Sequence, residues 1–372
     1  MCGVHACRDV LVWSIFSVSL LMAMSDPIMA HDWHRHSLLN ISGELAGDSE
    51  HSELSREGTS RRKIVFAAAK APASRKPAIA EHFEHFENVK VRWDSTTLFV
   101  ESNGLPNHNM MVGIRNWQQQ VPVPQPFTGQ NSWKIPLYPK MADRPINAKY
   151  TSFRGAIAVA VNGVPIFSAL NNRGEDAYLA GELDKWGGHC GRGDDYHYHI
   201  APLHLEEIVG KGNPIAFALD GYPIYGLTEA DGSPVGNLDL INGQLDADGS
   251  YHYHATKTYP YINGGVRGEV DFRNGEIASQ PRDAPIRPGQ PPLRGAVITD
   301  FRTTAKESTL TYKIQGRTGK ITYSPAGEDS YRFTYSEPSG KTWSETYQRR
   351  PRPNLPGGSE RRGPGRRPPP KR

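Results

Sequence analysis

The tetrad Tyr-His-Tyr-His stands twice in this chain of 372 residues, at 196–199 and at 251–254, and each copy closes a longer stretch that also recurs. Residues 157–167 read Ile-Ala-Val-Ala-Val-Asn-Gly-Val-Pro-Ile-Phe, and residues 215–225 read Ile-Ala-Phe-Ala-Leu-Asp-Gly-Tyr-Pro-Ile-Tyr. Between each block and its tetrad lie a Leu-Asp step, Leu183-Asp184 or Leu238-Asp239, and a Gly-rich turn. Similarity in fixed order marks a repeated supersecondary unit. Two copies are too few to stack as a solenoid, so the pattern implies one internally doubled domain.

Each block begins with an apolar run that no polar residue interrupts, the pattern of a fully buried strand, and Asn162-Gly163 and Asp220-Gly221 then signal turns before a return strand. Alternation in a strand puts His197 and His199 on one face and Tyr196 and Tyr198 on the other; His252 and His254 repeat the arrangement. Two imidazoles on one face of a strand can lean together onto one ion at about 2.0–2.1 Å. These four histidines are therefore candidate ligands for a divalent transition metal or copper, zinc included, because imidazole suits those ions. The competing reading is a structural clasp, with tyrosines stacked on one side and hydrogen-bonded histidines on the other. The sequence allows one four-imidazole centre or two separate pairs, the latter completed by Asp194, Asp195, His189, His204 or water. His189 is a further candidate in the first repeat. His108 is another, because it follows the turn at Asn107.

The segments Asp194-Asp195-Tyr196-His197-Tyr198-His199, Asp220-Gly221-Tyr222-Pro223-Ile224-Tyr225-Gly226 and Gly188-His189-Cys190 together resemble the YHYH-domain family, and residues 103–108 resemble its usual lead-in. The resemblance covers about residues 89–268. It implies an exported bacterial protein of uncharacterised biochemistry, with a metal role resting on the motif itself, and it supplies no reaction. One asymmetry stands out. With the tetrads aligned, His189 and Cys190 fall opposite Gln244 and Leu245.

Export is also legible near the start of the sequence. Arg8 precedes an apolar run from Val10 to Ala23, followed by small residues, which fits a signal peptide over residues 1–30. The run is too short to span a membrane comfortably, so no transmembrane span is expected after signal removal. Cys2 and Cys7 would leave with the signal, and Cys190 alone cannot form an internal disulfide.

Residues 31–80 read as a flexible leader, 81–270 as the duplicated domain, 271–300 as a Pro-rich linker and 301–348 as a small β module. The expected fold class is all-β: an internally duplicated β-sandwich or barrel-like domain plus a small C-terminal β meander. Residues 349–372 hold nine Lys or Arg against Glu360, with seven prolines. This tail is +8 in a chain of net charge +4, which leaves the rest near −4. It is expected to be disordered and to meet an anionic cell-surface polymer or lipid headgroups, and export argues against nucleic acid.

No Gly-x-Ser-x-Gly, P-loop or dinucleotide fingerprint occurs, so standard hydrolase, kinase and dehydrogenase assignments lack support. The functional expectation is an exported metal-binding protein using paired His-x-His strands. The alternatives are an extracytoplasmic metalloenzyme with an open metal position and a metal-free cell-surface binding module.

Overall fold

The computed structural model describes residues 75–278, 280–282 and 284–349. The expected signal peptide, nearly all of the leader and all of the basic tail after Arg349 lie outside the described residues. Strands dominate the rest. A short helix, α1 (Ala78–Glu81), leads into an antiparallel sheet of β1 (Lys90–Trp93), β2 (Thr97–Glu101) and β3 (Trp133–Pro136). Asp94 shapes the β1–β2 turn by accepting the backbone N–H groups of Thr96 and Thr97. Residues 121–126, where Pro alternates with other residues, stay outside every sheet, as missing N–H donors require.

The two repeats follow β4 (Met141–Asn147). The first gives β5 (Ala156–Ala160), β6 (Pro165–Phe167), β7 (Gly188–Cys190) and β8 (Tyr196–Tyr198). After the helix α2 (Glu206–Val209), the second gives β9 (Ala216–Ala218), β10 (Pro223–Tyr225), β11 (Gly243–Leu245) and β12 (Tyr251–His254). All eight strands join one open sheet in the order β11-β12-β10-β9-β5-β6-β8-β7. Both halves pair alike: hairpin β5–β6 matches hairpin β9–β10, parallel β6–β8 matches β10–β12, and antiparallel β7–β8 matches β11–β12. The halves meet at β5–β9, where Ala158 faces Ala218 and Ala160 faces Ala216. Every residue of both strands is buried, as their unbroken apolar sequence requires.

The tetrads are thus far apart. Strands β8 and β12 stand five strand spacings from each other in the sheet, about 24 Å at 4.7–4.9 Å per spacing. Of the two arrangements open to the sequence, the sheet adopts the separate pairs, because the buried apolar strands occupy its middle and push the polar tetrads outward.

Strand β13 (Gly265–Gly268) returns to pair with β4, and β14 (Phe272–Arg273) forms a small hairpin with β15 (Glu276–Ile277). A five-stranded meander closes the described chain: β16 (Val297–Thr303), β17 (Ser308–Ile314), β18 (Arg317–Gly327), β19 (Ser330–Ser336) and β20 (Thr342–Gln348). Its apolar face joins the same core as the other sheets. The Pro-rich segment does more than link: Ile277, Ile286, Arg287 and Ala296 are all buried. Among the described residues no helix is long and apolar enough to cross a membrane.

Candidate metal centres

The tyrosine face of each tetrad is a clasp. Tyr196 donates its hydroxyl to Asp184 at 2.8 Å, and Tyr251 donates to Asp239 at 2.7 Å. The other carboxylate oxygen of each Asp accepts two backbone N–H groups, from Trp186 and Gly188 in one case and from Ile241 and Gly243 in the other. The Leu-Asp step therefore fixes the turn before β7 or β11 and anchors the tetrad strand. Gly188 and Gly243 leave the room this needs, since a Cβ at either would collide with the tyrosine hydroxyl. Tyr253 donates to Asp220 at 2.6 Å, and Tyr198 accepts from its counterpart Asn162 at 3.1 Å.

The histidine faces are arranged for something else. In the first repeat, His189 stands opposite His197 across β7–β8, and one ring nitrogen from each of His189, His197 and His199 lies within 4.8 Å of the others. His199 directs Nδ1 to the Ser168 carbonyl at 2.6 Å, and His197 directs Nδ1 to the Asp195 carbonyl at 3.0 Å. Those bonds fix the tautomers, with Nδ1 donating and Nε2 left as a lone pair. The Nε2 of His199 then stands 3.1 Å from the Nε2 of His189. Burial holds both rings neutral, lowering the pKa of His199 to about 3 and that of His189 well below its ordinary value.

The second repeat builds its centre from a different set: His252, His254 and Glu229. His254 directs Nδ1 to the Gly226 carbonyl at 3.1 Å, matching His199 and Ser168. His252 directs Nδ1 to the Asp246 carboxylate at 3.1 Å. The two Nε2 atoms then meet at 2.9 Å, with the Glu229 carboxylate 3.3 Å from that of His254 and 3.8 Å from that of His252. Burial is the main influence on His254 and lowers its pKa. Two lone pairs at this distance repel unless a cation lies between them. A proton on one ring satisfies one pair of nitrogens, whereas a metal ion satisfies all three donors together.

Residues 132–234 match the model of the family described as YHYH protein. The chain carries a YHYH-family segment. The match spans the first tetrad and the start of the second repeat, and it is narrower than the 89–268 stretch over which the motifs resemble the family. No curated protein and no solved structure matches the chain.

Other residues near the YHYH segment have different employment. His108 joins neither cluster: its Nε2 meets the Tyr198 hydroxyl at 2.8 Å, and its ring stacks on Trp186. Tyr198 points away from His197 and His199 because strand side chains alternate, so His108 sits on the tyrosine side. His204 shares that location, 4.9 Å from His108 between ring centres. Cys190 is buried beside Tyr196 on β7, and burial pushes its thiol well above the ordinary range, which keeps it protonated. Asp194 occupies a left-handed turn position at φ 58° and pairs through both carboxylate oxygens with buried Arg287, not with a histidine. Asp195 is the acidic neighbour that does reach a tetrad, through its carbonyl and its carboxylate 3.5 Å from the His197 Nδ1.

Glu229 is the residue that sequence reasoning missed. It occupies the same turn position as Asn171: each accepts from the glycine three residues on, and each N–H bonds four residues on. Asn171 instead donates to Glu175 and Glu182. The third donor has thus changed place between repeats, from the β7 position held by His189 to the loop position held by Glu229. Gln244 stands opposite His252 where His189 stands opposite His197, and its Oε1 is buried without a hydrogen-bond partner. The signal for Glu229 was negative: a repeat lacking the counterpart of His189 needs a donor from elsewhere.

Proposed function

We propose that this protein binds transition-metal ions at two separate centres, one formed by His189, His197 and His199 and the other by His252, His254 and Glu229. The supporting observation is the meeting of Nε2 atoms whose rings spend their Nδ1 protons on Ser168, Gly226 and Asp246. Three neutral imidazoles suit zinc or copper, whereas two imidazoles and a carboxylate also suit iron(II). Export from the cytoplasm belongs to the same reading and rests on the apolar run from Val10 to Ala23. Attraction of the basic tail to an anionic cell surface is a further part of it, resting on composition alone.

A metalloenzyme is the second reading, and one observation favours it. The first centre opens on a cavity of ≈ 480 Å³ whose wall includes all three histidines and Asp195. Three protein ligands facing such a space leave a coordination position for water or substrate.

The test is metal content after dialysis against a weak chelator, for the native protein, His199→Ala, His254→Ala and the double variant. Two equivalents in the native protein, one in each single variant and none in the double variant are expected. A native protein that folds, is offered metal and retains none would overturn the reading and leave the histidines as structure.

A further inference from the structure

The residues lining the cavity in front of the first centre include three arginines, Arg154, Arg173 and Arg192, all of them exposed. Arg173 is committed to Glu175 and Glu182. Among the described residues, Arg154 and Arg192 have no ion-pair partner, although they line the same space as His189, His197 and His199. The acidic groups on the wall are Glu182, already engaged by Arg173, and Asp195. Glu175 and Glu182 together more than balance Arg173, so Arg154 and Arg192 are the cations left at the wall for a ligand.

The donor set sharpens this. Three neutral imidazoles leave a divalent ion its full charge, so a bound ion beside Arg154 and Arg192 would make the pocket positive. The second centre is the opposite case: Glu229 supplies charge to the ion and Asp246 supports His252. The ligand carboxylate therefore distinguishes two centres that share a scaffold. Guanidinium groups offer paired donors that match carboxylate and phosphate oxygens, and the cavity volume is in the range that encloses a small molecule.

Resting on the reading that the first centre binds a metal, we infer that its cavity is the binding site for a small oxyanion, a phosphate or carboxylate group held by the ion and by Arg154 and Arg192. A bound ion would take one oxygen, and Arg154 and Arg192 would hold the others. The same groups would orient the reacting end of an anionic substrate.

The test uses the full chain carrying His254→Ala, so that only the first centre reports, loaded with cobalt(II) and titrated with inorganic phosphate. A saturable change in the visible cobalt spectrum is expected. The additional pair Arg154→Ala and Arg192→Ala should leave the starting spectrum intact and weaken phosphate binding by about tenfold or more. A cobalt spectrum that phosphate does not move, or equal affinity with and without the arginines, would overturn the inference while the metal reading stands. A folded protein that takes up no cobalt would overturn both.

Discussion

At the residue scale, each tetrad histidine has one nitrogen anchored and one exposed to its neighbours, and anchoring distinguishes these rings from ordinary buried histidines. His108 is the contrasting case. Its Nδ1 is 3.1 Å from the Asn109 carbonyl and its Nε2 faces the Tyr198 hydroxyl, which also accepts from Asn162. Both nitrogens are thus used in neutral form, and burial lowers the pKa to about 4. In the unfolded chain the same ring titrates near 6.5. Between these values the unfolded state holds a proton that the folded state does not, so stability present above pH 6.5 is lost as pH falls toward 4. Unfolding of metal-free protein followed from pH 7.5 to 4 should show His108→Gln losing roughly 2–3 kcal/mol less than the native chain over that range. An identical loss in both would mean that His108 does not stay neutral in the folded state. Sequence placed His108 near a turn and named it a ligand candidate, but the face it occupies was set by Tyr198, which lies ninety residues away.

At the scale of elements, the strands of residues 156–254 were the most legible part of the chain. The apolar runs became β5 and β9, the Asn-Gly and Asp-Gly turns led into β6 and β10, and the tetrads became the strand segments of β8 and β12. The parallel pairing of β6 with β8 was not legible, because it depends on long connections whose path the sequence does not encode locally. Glu229 was hidden for the same reason: it lies in a loop, with no alternation to mark it. The displaced third donor yields a prediction of rescue. Glu229→Asn should abolish metal binding at the second centre, and adding Gln244→His should restore it by rebuilding the three-histidine arrangement of the first. Metal content measured in a His199→Ala background reads this directly. Failure of the histidine to restore binding in a folded protein would show that positions 189 and 244 are not equivalent.

At the scale of the whole molecule, the C-terminal meander is tied to the tetrad region by buried polar contacts. Arg287 pairs with Asp194 at 2.7 and 2.8 Å, bonds the Tyr335 hydroxyl at 3.2 Å and reaches the Gln119 carbonyl. Tyr323 donates to the Pro122 carbonyl, and across the same boundary the Gly113 N–H donates to the Ile298 carbonyl while the Ile298 N–H donates to the Ile114 carbonyl. Composition marked residues 271–300 as a linker because prolines dominate it, but an arginine among prolines carries no local sign that a buried carboxylate awaits it. Removing one partner of such a pair leaves the other charged and buried, which costs about 3–5 kcal/mol. Arg287→Ala should lower stability by that amount and raise amide exchange in β18 and β19 as well as in β8. Loss of protection confined to residues next to the substitution would show that the meander is held by other means.

Anomalous diffraction from a metal-loaded crystal distinguishes two metal centres, one at each tetrad, from a single shared one. Two peaks about 24 Å apart, one among His189, His197 and His199 and the other among His252, His254 and Glu229, are predicted. A single peak between the tetrads, or no peak at either cluster in protein shown to contain metal, would show that the tetrads do not form separate metal centres.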